Sequence, residues 1–183
     1  MNDMRTDSVE QKVANCLEAL KADKVLSVGQ IRRHYGISPR DLPAAIKRQR
    51  ITIEPTARSR PAKEFVVCHA YPKEIDGSQA RHACGTAEIR HELKIAPELW
   101  TVSSFIFGRN NPDAVFQSAR GLIAIEFDAG AYKRTRIQTH AVRFGQSYVD
   151  QIWAVPTERR MVTVQTHLRE IGINAKVIPV QWF

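Results

Sequence analysis

The stretch that most constrains the fold is residues 121–144, which read GLIAIEFDAGAYKRTRIQTHAVRF. Its first half is a run of apolar β-formers bounded by glycine, which predicts a buried strand. The strand ends in two acids, Glu126 and Asp128, and the basic segment that follows has the spacing of a helix. A buried strand that leads into a helix indicates an α/β domain, and the two acids at its end need an explanation.

The same alternation runs through the second half of the chain. The predicted elements are, in order, a helix in TAEIRHELKIA, strands in WTVSSFIF, DAVFQSA and GLIAIEFD, a helix in AYKRTRIQTHAVRFGQSY, a strand in DQIWAVP, a helix in ERRMVTVQTHLREIG and a strand in AKVIPV. The first three strands read as a meander. Residues 86–183 are therefore predicted to form an α/β (α+β) domain with a mixed central sheet.

The first seventy residues have a different pattern. Three helix-start signals, near residues 7, 27 and 38, predict three short helices, and Gly36 ends the second of them. The third would cover PRDLPAAIKRQR, and residues 51–70 then read as a hairpin with a basic tip. Three helices and a hairpin predict a winged helix-turn-helix over residues 1–70. The turn-rich segment 71–85 is predicted to be the linker.

Positive charge is concentrated in this front part. The whole chain carries a formal net charge of +8, and residues 32–63 contain nine lysines and arginines against two acids. A basic cluster on a helix-turn-helix indicates double-stranded DNA as the partner. The candidate DNA-binding residues are Arg40, Lys47, Arg48 and Arg50 on the third helix and Arg58, Arg60 and Lys63 on the wing. The alternative is a solvated basic face on a domain that binds protein.

Composition narrows the other classes. The N-terminal residues lack the apolar core of a signal peptide, and no segment approaches the roughly 20 apolar residues that span a bilayer. The three cysteines, Cys16, Cys68 and Cys84, share no CxxC spacing, which favours reduced thiols. We therefore expect a cytoplasmic protein without a membrane segment or an organic cofactor.

The element order, taken with NPDAVF and AIEFD, resembles the restriction-endonuclease-like fold of the PD-(D/E)xK nucleases. Asp113 in Pro-Asp-Ala and Glu126 match that pattern. The chain resembles more narrowly the replication-relaxation family of plasmid and mobile-element proteins, whose pattern runs from His-x-Leu through Pro-Asp-Ala and Glu-x-Asp-x-Gly-Thr to Lys-x-x-x-Tyr. The matching positions here are His91 and Leu93, then Glu126, Asp128 and Gly130, and finally His140 and Phe144. The resemblance implies a winged helix joined to a nuclease-like domain with catalytic Asp113, Glu126, Asp128 and His140.

Adjacent acids at the end of a buried strand repel each other unless a cation lies between them. Side chains alternate along a strand, so Glu126 and Asp128 share a face, and Asp113 reaches it from the paired strand. Glu88 on the preceding helix adds a further carboxylate. This predicts a Mg²⁺ site formed by Asp113, Glu126 and Glu88. The alternative is a surface salt-bridge cluster with Lys133, Arg134 or Arg136.

Two departures from the family patterns weaken the catalytic interpretation. The nuclease pattern has a lysine two residues after the glutamate, and that position is Asp128. The family's displaced lysine aligns with His140, which is mostly uncharged at neutral pH. The sequence therefore favours a DNA-binding protein of a plasmid or other mobile element whose nuclease-like domain has reduced or lost catalysis. An active Mg²⁺-dependent endonuclease and a non-enzymatic transcription or copy-number regulator remain alternatives.

Helix-turn-helix proteins usually read paired half-sites, so we also expect a homodimer. The expected contact is an apolar strand or helix surface around Trp153 or Trp182.

Overall fold

A computed structural model of the chain describes residues 7–54, 56, 60–68, 74–103 and 111–183, and for residues 63–68 it describes the backbone alone. These ranges form five α-helices, two one-turn 3-10 helices and eight strands in two sheets, an α+β arrangement. No helix within them combines the length and the hydropathy needed to cross a bilayer.

The N-terminal elements are helices α1 and α2 and a three-stranded sheet. In chain order they are α1 Val9–Asp23, β1 Val25–Ser27, α2 Val28–Tyr35, a 3-10 turn Pro39–Asp41, β2 Lys47–Ile53 and β3 Ala62–Cys68. The capping signals act as predicted for α2: Ser27 and Gln30 form a capping box, and Gly36 ends the helix in the left-handed conformation at φ 65°. The strands pair antiparallel in the order β1-β3-β2, which confirms the predicted hairpin.

The predicted third helix is wrong. Only the 3-10 turn Pro39–Asp41 forms, and residues from Lys47 onward belong to β2. Pro43 explains the early end, because proline lacks an N–H and disfavours helical backbone in the residue before it. Leu42 accordingly has an extended ψ of 150°. The residues after it then pair with β3 at seven successive positions, so a long-range ladder replaces the expected local helix.

The C-terminal elements follow the predicted order α-β-β-β-α-β-α-β. They are α3 Gly77–Glu92, a 3-10 turn Pro97–Leu99, β4 Trp100–Val102, β5 Ala114–Ser118, β6 Gly121–Phe127, α4 Arg134–Ser147, β7 Asp150–Val155, α5 Glu158–Arg169 and β8 Lys176–Pro179. The first of the predicted strands continued to residue 107, and its part beyond residue 103 lies outside the described residues.

The five strands form one mixed sheet in the order β4-β5-β6-β7-β8. Pairing is antiparallel from β4 to β6 and parallel from β6 to β8. Alternate residues of β6 face opposite layers: Ala124 packs in the core with α4 and α5, whereas Ile125 packs in the core with α3. The sheet therefore lies between α3 on one face and α4 and α5 on the other.

Helix α3 joins the two sheets. The sequence assigned residues 77–85 to a linker, but they form the first half of α3, which begins at a capping box of Asp76 and Gln79. Cys84 of this helix belongs to a single core that also contains Ile53 of β2 and Ile125 of β6. The linker assignment is therefore wrong for residues 77–85, and residues 71–73 lie outside the described part of the chain. The sequence of residues 77–85 resembles a loop because the packing surface of α3 consists there of small residues, such as Ala80 and Gly85, and has no pattern of large apolar side chains.

Both tryptophans expected at a dimer contact are core residues. Trp153 has 0% and Trp182 has 2% of its surface exposed. Trp153 packs with α4 and α5, and Trp182 packs in the core with α3. The rings of Trp153 and Trp182 are therefore used inside the chain and do not themselves form a contact surface, and the homodimer stays a prediction.

Candidate functional site: two buried carboxylates and two histidines

The structure brings Asp113 and Glu126 together. Asp113 precedes β5, and Glu126 lies on β6 one residue beyond the pair Ala114–Ile125. The backbone N–H of Asp113 donates to Glu126 Oε2 at 3.3 Å, and the N–H of Phe127 donates to Asp113 Oδ2 at 2.8 Å. Both carboxylates are buried. The antiparallel register of β5 and β6 therefore produces the predicted acidic pair.

Each acid contacts one histidine. His82 of α3 has its Nδ1 3.5 Å from Asp113 Oδ2, and His140 of α4 has its Nδ1 3.1 Å from Glu126 Oε1. The hydroxyl of Tyr132 donates to the same Oε1 at 3.0 Å. We call Asp113, Glu126, His82, His140 and Tyr132 the acid–histidine cluster. Sequence reasoning placed His140 beside these acids but not His82 or Tyr132, because no short motif links the latter two residues to the acids.

Burial and charge shift the pKa values in this cluster. Burial and the nearby charge of Asp113 raise the pKa of Glu126. Burial alone would lower the pKa of His82, but the carboxylate of Asp113 that faces the ring outweighs burial and raises that pKa. Burial and the charge of Arg136 lower the pKa of His140. The cluster therefore favours a proton on His82 beside Asp113 and an uncharged imidazole beside Glu126.

The carboxylate of Asp128 accepts four hydrogen bonds, and its partners are neither the acids nor the histidines of this cluster. Its Oδ1 accepts the N–H groups of Gly130, Ala131 and Tyr132 at 2.8, 3.1 and 3.2 Å. Its Oδ2 accepts Nε of Arg160 from α5 at 2.7 Å. Asp128 thus shapes the loop between β6 and α4 and holds α5 against it. The acid does lie in an ion pair, as one interpretation of the sequence expected, but its carboxylate is buried and its half-buried arginine comes from α5.

Glu88 also lies outside the cluster. Its carboxylate accepts Nε2 of Gln30 at 2.8 Å, Nη2 of Arg33 at 2.9 Å and Nε2 of His34 at 3.1 Å, all from α2. These contacts attach α2 to α3. Burial alone would raise the pKa of Glu88, but its bonds to His34 and Gln30 outweigh burial and lower it. Both oxygens of Glu88 therefore bind donors of α2, and the contacts described for this carboxylate do not reach Asp113 or Glu126.

The structure brings together only part of the ligand set that was predicted for Mg²⁺. Asp113 and Glu126 meet, but Glu88 and Asp128 are held elsewhere by other donors. Within the described ranges, no group of three or more histidine, cysteine, aspartate or glutamate side chains is arranged to hold a metal ion. His82 Nδ1 is shielded from solvent without a hydrogen-bond partner of good geometry, so Asp113 faces a nitrogen where the sequence expected a further carboxylate. The three-carboxylate set therefore does not fit.

The candidate DNA-binding residues lie on a turn and a strand. Arg40 is on the 3-10 turn, and Lys47, Arg48 and Arg50 are on β2. Arg40, Arg50 and Arg60 are exposed. Arg58 lies outside the described residues, and the side chain of Lys63 is not described.

Arg48 has a structural contact that the sequence did not indicate. Its Nη2 donates to the carbonyls of Pro39 at 2.9 Å and Leu42 at 3.0 Å, although the side chain is exposed. Arg48 therefore holds the 3-10 turn against β2 and also adds a positive charge to this part of the surface.

Comparison with known proteins gives little beyond this geometry. No protein-family profile matches the chain, and no curated protein is significantly similar to it. Among solved structures, the chain is similar to the YaeQ protein from Xanthomonas axonopodis pv. citri, at 12% sequence identity and a TM-score of 0.33. The likeness covers 70% of this chain and 68% of that one, and a likeness this slight does not indicate a function.

Proposed function

We propose that the chain is a DNA-binding protein of a plasmid or other mobile element, of the replication-relaxation kind. Its N-terminal part is a reduced winged helix that docks on duplex DNA. Its C-terminal part is a nuclease-like domain whose catalysis is reduced or lost. The observation that carries this proposal is the buried pair Asp113–Glu126 on adjacent strands of a mixed five-stranded sheet.

The docking role rests on the distribution of charge. Nine of the chain's 27 lysines and arginines fall within residues 32–63, against two of its 19 acids. Exposed arginines of this segment lie on three consecutive elements, among them Arg32 on α2, Arg40 on the 3-10 turn and Arg50 on β2. Such a surface attracts a polyanion, because each phosphate that it neutralises releases counterions. The hairpin β2–β3 takes the part of the wing.

The nuclease-like role rests on topology and on the two acids together. A meander of three antiparallel strands followed by two parallel ones, with helices on both faces, is the arrangement that the resemblance implies. Asp113 before the second strand and Glu126 on the third take the expected places. The two side chains lie next to each other, since the N–H of Asp113 donates to Glu126 Oε2 at 3.3 Å.

Loss or reduction of cleavage rests on what surrounds this pair. The position of the nuclease lysine is Asp128, whose negative charge is neutralised by Arg160 and three backbone N–H groups. His140, aligned with the family's displaced lysine, has a lowered pKa and is the neutral partner of Glu126. Neither side chain supplies the fixed positive charge that stabilises a developing phosphorane.

An active endonuclease is a second candidate, and His82 is the observation that favours it. Asp113 raises the pKa of His82, so α3 places beside the acidic pair an imidazole that is protonated more readily than a free one, where the nuclease pattern has a lysine. If this candidate is correct, Mg²⁺ or Mn²⁺ should raise the melting temperature by mass action, and Glu126→Gln should abolish that response. Supercoiled plasmid should also be nicked in the presence of metal.

One experiment separates the two candidates. The protein is incubated with supercoiled plasmid and Mg²⁺ or Mn²⁺, beside a gel-shift with duplex DNA. The proposal expects a salt-sensitive shift and no metal-dependent nicking. Nicking that disappears in Glu126→Gln would establish the second candidate, and absence of any shift at low salt would reject DNA docking. Lys176→Gln, an exposed change on β8, is the control for loss of one positive charge.

The homodimer remains part of the proposal, with a contact other than Trp153 and Trp182. Light scattering over a range of concentrations tests it. A monomer at all of them would remove the dimer from the proposed function and would leave DNA docking in place.

A further inference from the structure

The part of the chain that would read bases in a helix-turn-helix is a single turn. The second helix of that motif enters the major groove and presents three or four side chains to base edges. Here the corresponding element is the 3-10 turn Pro39–Asp41, of three residues. A turn of three residues rises only about 6 Å, so it cannot lie along a groove as a recognition helix does.

The cations that were predicted on that helix lie instead on one side of a strand. Along β2, exposure alternates, so that Arg48, Arg50 and Thr52 face outward. The intervening Ile51 and Ile53 face the core that α3 completes. The outward residues therefore form a flat strip, in which successive side chains are about 6.7 Å apart. We call Arg40 and the outward face of β2 the basic strip.

The side chain on β2 best suited to reading adenine faces away from this strip. A glutamine reads adenine with both atoms of its amide. Gln49 uses both atoms within the chain, since its Nε2 donates to the carbonyl of Ile75 at 2.8 Å and its Oε1 accepts the N–H of Ile75 at 3.1 Å. The described side chains on the outward face of β2 are two arginines and a threonine. Arginine on a flat face suits phosphate oxygens, which do not depend on sequence.

The surface is also held rigidly. Arg48 joins β2 to the 3-10 turn through the carbonyls of Pro39 and Leu42, so Arg40 has a fixed position relative to Arg50. Helix α2 is anchored on its other side, where Gln30 donates to Glu88 and to the carbonyl of Cys84. Among the described residues, the basic strip consists of a 3-10 turn and a strand, and such a flat surface matches the outside of the duplex better than its groove floor.

We infer that the basic strip binds the phosphate backbone of duplex DNA and that the protein docks without reading base sequence. This inference rests on the proposed function and specifies its mode of recognition. DNA binding is therefore insensitive to base sequence, and any selection of a site in the cell comes from another component or from DNA shape.

The test measures binding of the full chain to duplex DNA in two ways. First, a random-sequence duplex pool is taken through rounds of selection, and two unrelated 30-base-pair duplexes are compared by fluorescence anisotropy. We expect no enriched motif and affinities within about 3-fold of each other. A motif bound 10³-fold more tightly, the scale of specific complexes, would overturn the inference while leaving DNA binding in place.

Second, the salt dependence locates the surface. The double variant Arg40→Gln with Arg50→Gln should lower the slope of log K against log salt by about 1.8, because each lost phosphate contact contributes about 0.9. Lys176→Gln should leave the slope unchanged. Arg48 is kept, because its loss would also release the 3-10 turn. An unchanged slope in a double variant with a normal melting temperature would overturn the basic strip as the docking surface. No binding by the wild type at low salt would overturn both this inference and the proposed function.

Discussion

Arg90 of α3 binds both carboxylate oxygens of Asp23 at the end of α1, with Nε 2.8 Å from Oδ1 and Nη2 2.6 Å from Oδ2. Asp23 has 0% and Arg90 has 4% of its surface exposed. Arg90 also donates to the carbonyl of Ile95 at 3.1 Å. This bidentate pair, together with the contacts of Glu88, attaches the N-terminal helices to the helix that carries His82. The two halves of the chain are therefore expected to unfold together.

The first prediction concerns this pair. Arg90→Met should lower the free energy of unfolding by about 3–5 kcal/mol, because it leaves the buried carboxylate of Asp23 without its cation. Adding Asp23→Leu should recover most of the loss, since a buried ion pair can be replaced by apolar side chains of similar volume at little cost. Urea unfolding measures both variants. A loss below 1 kcal/mol in Arg90→Met would show that the pair does not hold the halves together.

The second prediction concerns pH. Burial and the charge of Arg90 lower the pKa of His91 from 6.5 to about 3. The folded state therefore binds fewer protons than the unfolded state, and stability must fall as pH falls. Above about pH 6.5, His91 is uncharged in both states and the protein keeps its full free energy of unfolding. Between about pH 6.5 and pH 3 this free energy falls with pH, at up to about 1.4 kcal/mol per pH unit. His91→Gln should flatten this part of the stability curve, measured by urea unfolding at each pH. Parallel curves for the two proteins would contradict the assignment.

The third prediction concerns Asp128, the position at which the nuclease pattern has a lysine. Asp128→Lys should destabilise the protein and should not create nuclease activity, because the carboxylate accepts three backbone N–H groups and Arg160. Asp128→Ala should cost about 3–5 kcal/mol of unfolding free energy. The control is Glu158→Ala, an exposed acid in the first turn of α5, which should cost under about 1 kcal/mol. Metal-dependent nicking by a stable Asp128→Lys variant would show that the loop tolerates a catalytic lysine there.

The fourth prediction uses two helical glycines. A methyl group at Gly85 of α3 would overlap the ring of Phe127, whereas one at Gly145 of α4 meets nothing within 4 Å. Gly85→Ala should therefore destabilise the protein by about 1–3 kcal/mol, since helix and sheet must separate. Gly145→Ala should stabilise it by about 0.5–1 kcal/mol through helix propensity. Thermal melts of both variants decide this, and equal melting temperatures would contradict the close packing of α3 on β6.

Local signals predicted a large part of the fold. The start and end of α2 follow from Ser27, Gln30 and Gly36, all within ten residues of one another. The order of elements after residue 77 follows from hydrophobic periodicity, which each segment carries by itself. The prediction of a third helix failed because the pairing of β2 with β3 overrode local helix propensity. Pro43 was the one local signal against that helix. The prediction of a linker over residues 77–85 failed because turn-like residues and small residues also suit a helix packed tightly between two sheets.

The candidate site divides in the same way. The sequence by itself determined that Asp113 and Glu126 end up as neighbours, because period-two alternation and a short meander leave few other pairings. Only the tertiary structure decided what surrounds them. His82, which faces Asp113, lies 31 residues before it in the sequence. Arg160, which pairs with Asp128, lies 32 residues after it. The three donors of α2 that bind Glu88 lie more than 50 residues before it. The partners of a buried charge are chosen by which elements pack against it, and no short stretch of sequence records that choice.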